Sequence, residues 1–116
     1  MESNDYLEKQ LKICMKYSQI SDLVELDTLI ALGKNFNPNI EIHGLRHPRT
    51  ETLNGWYIWS GKYSEEDDFF QPSHAYHLLK NASFVIPYLG LPAGNRFLID
   101  NKGYEDVWFD ENLLRV

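Results

Sequence analysis

The sequence predicts an α+β fold: two N-terminal helices, then a small antiparallel sheet with one or two short inserted helices. Three observations lead there. Apolar residues recur at helical spacing up to Gly33, the pattern changes to β-type alternation near Ile40, and between them "GKNFNPN" breaks both patterns with Gly, Asn and Pro. At 116 residues the chain is expected to form a single domain, with residues 1–36 its helical part and 40–116 its strand-rich part.

The first helix is read between Asp5 and Ser18, where Leu7, Leu11 and Cys14 form an apolar stripe that Ile13 and Tyr17 widen. The second begins at Asp22, which with Glu25 has the form of a capping box. Leu23, Leu26 and Ile30 give its periodic face and Gly33 its exit. "IEIHGL" alternates and opens a strand near Ile40, whereas "RHPRTETLN", with Pro48, reads as a loop or long hairpin connection.

"WYIWS" is the strongest strand signal, because aromatic and β-branched residues fit a pleated surface and glycines flank it. Trp56 and Ile58 then share one face, and Tyr57 and Trp59 the other. Both faces are apolar, so one enters the core. The other is either presented to a partner or covered by a helix, and coverage is the expectation. "SHAYHLLKN" predicts a short helix capped by Ser73, with Ala75, Leu78 and Leu79 inward. A further short helix runs from about Ser83 to Gly90 with Pro87 in its first turn. "RFLID" and "DVWFD", joined by "NKGYE", predict a hairpin.

Hydrophobic residues make up 43% and charged residues 24%, the balance of a globular protein rather than a disordered one. No apolar run approaches the roughly 20 residues that span a bilayer, and "MESNDYLEKQ" has neither the basic start nor the apolar stretch of a signal peptide. A cytoplasmic location without membrane contact is therefore expected. Cys14 is the only cysteine, which excludes an internal disulfide and fits a buried, inert thiol. The net charge is −6, and residues 65–116 hold nine acidic residues against four basic ones. Such a field disfavours nucleic acid and favours a basic partner.

His43 and His47 lie four apart, and His74 and His77 three apart. With nearby carboxylates they would suit a small metal-dependent enzyme. Against this, Gly44 interrupts the first pair and a lone His-x-x-His lacks a second ligand segment, so no metal and no cofactor is expected. Glu65, Glu66, Asp67 and Asp68 form a contiguous run of the kind found on solvated loops, and Asp106 and Asp110 flank "VWF" on the side of Trp108. There is no Gly-x-Ser-x-Gly, Walker loop or Gly-x-Gly-x-x-Gly, and "LPAGNRF" reads as a tight turn at Gly94 rather than an anion site. No catalytic residue is assigned.

"NGWYIWSGKYSEEDDFF", "SHAYHLL", "YLGLPAGNRFLID" and "GYEDVWFDENLL", over about residues 40–114, resemble the bacterial immunity protein 33 family. The most specific pieces are Gly55-Trp56, the turn from Leu91 to Phe97, and Glu105-Asp106-Val107-Trp108. The resemblance implies a small cytosolic protein, or an orphan relative of one, that binds and neutralises a cognate toxin and carries no catalytic set. A basic toxin would be steered onto the acidic half of the chain. The partner-binding set expected on this basis is Tyr63, Glu65, Glu66, Asp67, Asp68, Glu105, Asp106, Trp108, Asp110 and Glu111, with Tyr63, Trp108 or Phe109 as the aromatic anchor.

Overall fold

The computed structural model describes residues 3–115. Helix α1 (Ser3–Lys16) is followed by strands β1 (Leu29–Gly33), β2 (Ile42–Arg46), β3 (Leu53–Ser60), β4 (Phe70–His74), β5 (Asn95–Ile99) and β6 (Glu105–Phe109). Three short 3₁₀ segments, Ala75–Leu79, Ser83–Gly90 and Glu111–Leu114, complete the order. The strands form one sheet in the order β4-β1-β3-β2-β5-β6. The predicted hairpin is present as β5–β6, and "WYIWS" lies in the longest strand. No helix of the described residues is long and apolar enough to cross a membrane.

Several expectations are corrected, Ser73 among them: it lies in β4 rather than capping a helix, and Leu79 of the 3₁₀ segment that follows is exposed. There is one N-terminal helix, not two, because Leu29–Gly33 is strand β1. An apolar run of this length satisfies either periodicity, and here it lies between two strands, β3 on one side and β4 on the other. Asp22 is consequently no helix cap; its carboxylate faces Arg46 and Arg49. The sheet is also mixed rather than antiparallel, since β1 pairs with β3 in parallel.

The stripe by which α1 packs is also displaced from the predicted one. Gln10 and Cys14 are its fully buried positions, whereas Leu11 is exposed. The reason is polar. The segment after α1 runs without regular structure, and the Gln10 side-chain amide both donates to the Val24 carbonyl (3.2 Å) and accepts from the Val24 N–H (2.8 Å).

The core lies on one face of the sheet. Ile30, Ile42, Trp56, Ile58, Phe97 and Ile99 pack against Cys14 and Val24, and against Ala75, Leu78, Val85, Ile86, Leu89 and Leu91 of the 3₁₀ layer. Near its start β3 is bulged: Leu29 faces Leu53 but Ala31 faces Tyr57. Gly55 sits in the bulge at φ +102°, and a Cβ there would stand 2.1 Å from the His47 carbonyl oxygen. Only glycine fits that position.

Arg46 ties the two layers together. Its side chain is 0% exposed, and its guanidinium donates to the carbonyls of Asn54 (3.1 Å), Asp22 (2.7 Å), Leu89 (3.2 Å) and Leu91 (2.8 Å). Nη2 lies 3.3 Å from Asp22 Oδ2, an ion pair whose geometry falls short of a hydrogen bond. Burial pulls the guanidinium down to about 10 while the Asp22 carboxylate pulls it up, so it remains charged at neutral pH. Carbonyls at the end of a helical segment have no partner of their own. Here Arg46 and the Trp56 indole N–H (2.8 Å) both serve Leu89, and the Asp22 N–H (2.8 Å) and the Cys14 thiol (3.1 Å) serve Gly90.

Replacing Arg46 by Met keeps the aliphatic bulk but removes this donor from the carbonyls of Asn54, Leu91 and Asp22, while Leu89 keeps the Trp56 indole and the Asp22 carboxylate keeps Arg49. Urea unfolding is expected to show a loss of about 3–5 kcal/mol. Arg46→Lys, with a single donor centre, is expected to recover less than half of it.

Candidate functional site

Sheet register assigns the opposite face. Directly paired residues share a face, so two cross-strand rows can be traced from β4 to β6. One runs Phe70, Gly33, Trp59, His43, Leu98, Asp106; the other runs Pro72, Ala31, Tyr57, Leu45, Arg96, Trp108. None of these twelve belongs to the main core, and Arg96 and Asp106 are their only formal charges. Helical coverage was the expectation for Tyr57 and Trp59, but the helix and the two longer 3₁₀ segments pack on the other side.

Trp59 is nevertheless buried, because the chain covers it with a loop. His43 stacks on it (5.1 Å between centroids, 6° between planes), and Tyr63 and Phe70 meet it edge-on at 5.1 and 6.0 Å. Phe69 joins the cluster through Tyr63 and Phe70. Tyr57 is only half-buried. Edge-to-face contacts with Phe70 (5.2 Å) and His47 (5.3 Å) fix its ring, and its hydroxyl bonds to no described residue. Three depressions meet at Tyr57. The largest, about 430 Å³, is lined by Leu29, Ala31, Leu53, Phe70 and Pro72 among others; the second includes His47 and Pro48, and the third Leu45 and Tyr63. This depression is what reasoning from sequence missed. The alternating pattern placed Tyr57 on this face, but the strand order that surrounds it with Leu29, Leu45 and Phe70 has no local signal.

The structure does not gather the expected partner-binding residues into one cluster. Tyr63, half exposed, stands over the aromatic loop, and Glu65, Glu66, Asp67 and Asp68 follow it in solvent at the β4 side. Asp68 is paired with Lys34 at 2.8 Å, which lowers its carboxyl and raises the amine. Asp106 and Trp108 lie on the same face at the opposite edge, four strands beyond β1. Trp108 is 42% exposed and rests against Arg96, which in turn pairs with Asp110 at 3.2 Å. Glu111 is exposed and lies 3.5 Å from Arg115. Phe109 is exposed as well, but alternation turns it to the other side, over Gly94.

Glu105 has a different engagement. Its carboxylate accepts from Lys16 Nζ (2.7 Å), Tyr88 Oη (2.7 Å) and Tyr17 Oη, clamping edge strand β6 to the end of α1 and to the 3₁₀ layer. Burial pushes the carboxyl up, but these three donors outweigh it and hold it at about 2. Burial and the bond to Glu105 push Tyr17 up to about 12, so that phenol remains a donor.

The histidines do not converge. His43 is stacked on Trp59, the Nδ1 of His47 is 2.9 Å from the Leu113 carbonyl, and His74 and His77 lie beyond two intervening strands near Tyr76 and Ser73. Among the described residues no three His, Cys, Asp or Glu side chains are grouped to hold a metal ion.

Fold and surface together define a two-layer α+β domain with an aromatic sheet face, beside which a separate depression of about 320 Å³ is lined by polar residues that include Asp27, Arg49, Glu51 and His74. The chain belongs to the Imm33-like domain family, whose model matches residues 9–110. The match thus reaches back into α1, beyond the 40–114 stretch that carried the resemblance. No curated protein and no solved structure matches the chain.

The Glu105 clamp predicts an acid-sensitive contribution to stability. A carboxyl held below its ordinary value of 4.5 stabilises the fold fully above that pH, and the contribution is lost as pH falls through about 2. Glu105→Gln is therefore expected to cost about 1–3 kcal/mol at pH 7. The difference from wild type should narrow between pH 4.5 and 2 in denaturation series.

Proposed function

We propose that the chain is an immunity protein that acts in the cytoplasm by binding and neutralising a cognate toxin, without catalysis. Membership in an immunity-protein family supports a toxin as the partner in general. The observation that carries the site is the sheet face with Tyr57 at its centre: a depression of about 430 Å³, mainly apolar walls, and a phenol with no partner among the described residues. An anchor side chain of the toxin would fill it, in the usual arrangement of an apolar centre within a polar rim.

The rim is acidic on both sides, with Glu65, Glu66 and Asp67 in the loop that leads into β4 and Asp106 and Asp110 at β6. A basic toxin fits this arrangement. The acids would accelerate its approach and the aromatics would retain it. Tyr63 and Trp108 stand at the inner margin of that rim and are the anchors retained from the expected set.

Co-purification of the tagged chain with the toxin domain encoded next to it tests the pairing. Lysines at 65, 66 and 67 together are expected to slow association and flatten its salt dependence, with dissociation little changed. Tyr57→Ala is expected to accelerate dissociation about tenfold or more, the effect of losing a central anchor. Unchanged kinetics in both variants would overturn the reading of this face.

A further inference from the structure

The two edges of the sheet are unequal. In β4 the residues bonded to β1 are Gln71 and Ser73, as the flanking bonds Lys34 N–H to Phe69 O and Ala75 N–H to Thr28 O establish. Phe70, Pro72 and His74 therefore turn their backbone groups to the free edge. The middle one is proline and has no N–H to offer.

The same construction at the other edge gives the opposite result. Asp100 N–H bonds to Tyr104 O and Asp110 N–H to Gly94 O, so the bonded residues of β6 are Asp106 and Trp108. Glu105, Val107 and Phe109 direct three N–H and three C=O groups outward. Val107 occupies the position that Pro72 occupies in β4. The strand has no proline, glycine or lysine, its register with β5 is continuous, and it is tied by the Glu105 clamp at one end and by the Arg96–Asp110 pair at the other.

We infer that β6 takes up an extended basic segment of the partner as a seventh strand. Main-chain bonds to Glu105, Val107 and Phe109 would supply the pairing, and Trp108 and Phe109 would flank the segment on the two faces. The charge on this edge selects the occupant. Asp106, Asp110 and Glu111 stand along it, whereas a second copy paired antiparallel about Val107 would bring two such sets of acids together. A lysine-bearing strand meets them instead. That the segment comes from a toxin rests on the function proposed above; the edge pairing does not.

The test uses the full chain labelled with ¹⁵N and the synthetic peptide acetyl-Lys-Val-Lys-Val-Lys-Val-Lys-amide. Amide exchange is expected to slow at Glu105, Val107 and Phe109 on addition of the peptide, and the same peptide with Glu in place of Lys should give no protection. Val107→Pro copies the native device of β4. It removes an outward N–H and leaves the β5 ladder intact, so it should weaken peptide binding about tenfold or more, while Tyr57→Ala should not change it. Should Val107→Pro unfold, N-methylation of alternate peptide residues removes the partner's donors with the protein unaltered, and binding should fall equally. Protection confined to other strands, equal binding of the Glu peptide, undiminished binding by Val107→Pro or the methylated peptide, or protection of these amides by self-association without peptide would each overturn the inference. If Val107→Pro still binds the toxin as wild type does while Tyr57→Ala does not, the edge inference fails and the proposed function stands.

Discussion

A charged guanidinium out of reach of water, that of Arg46, is the constraint on which the rest of the arrangement depends. Such a group is tolerated only where its donors are taken up. The acceptors here are backbone carbonyls from segments far apart in sequence: Asp22 in the irregular connection, Asn54 in β3, and Leu89 and Leu91 around the end of the 3₁₀ segment. Nε and Nη1 are taken up in this way and Nη2 faces the Asp22 carboxylate at 3.3 Å, so placing one side chain fixes the position of the helical layer on the sheet. Trp56, under the guanidinium at 5.7 Å and bonded to the same Leu89 carbonyl, is locked by the same requirement.

That fixation has a consequence on the far side of the sheet. With α1, Val24 and the two longer 3₁₀ segments committed to one face, the other is left to the loop before β4 and, at His47, to the short segment Glu111–Leu114. The stretch from Tyr63 to Phe70 covers Trp59 and reaches no further than the flank of Tyr57. Two neighbouring aromatics of one strand, alike in type and face, thus have different environments. The loop that shields Trp59 is also the one that carries Glu65 to Asp68, so burial of one aromatic and acidification beside the next come from the same segment.

Much of this was legible in the sequence where the signal was local. Alternation gave β3, the turn residues gave the β5–β6 hairpin, and Ser83–Gly90 was recognisable despite Pro87. Features set by tertiary contacts were not. Leu29–Gly33 carries helical spacing and becomes a strand because β3 and β4 lie beside it. Arg46 carried no reading and Glu105 was assigned to the partner-binding set, since nothing near them in sequence announces the carbonyls of Leu89 and Leu91 or the hydroxyls of Tyr17 and Tyr88. The acidic residues of the candidate site were visible one by one, whereas their division between two margins of one face follows from a strand order that no short motif encodes.

That division decides what kind of contact the surface can make. From β4 to β6 there are five interstrand steps, about 24 Å at the usual spacing of roughly 4.8 Å. A partner of standard footprint covers about 800 Å² on each side, roughly 28 Å across. One protein can therefore touch both acidic margins and the aromatic centre at once, and a small ligand cannot. Placed between the margins, Ala31, Tyr57 and Leu45 are neighbouring positions of one row at which a partner meets no formal charge to desolvate. Acids confined to the margins keep their hydration until contact and lose little of it afterwards, which separates the groups that attract a partner from the groups that hold it.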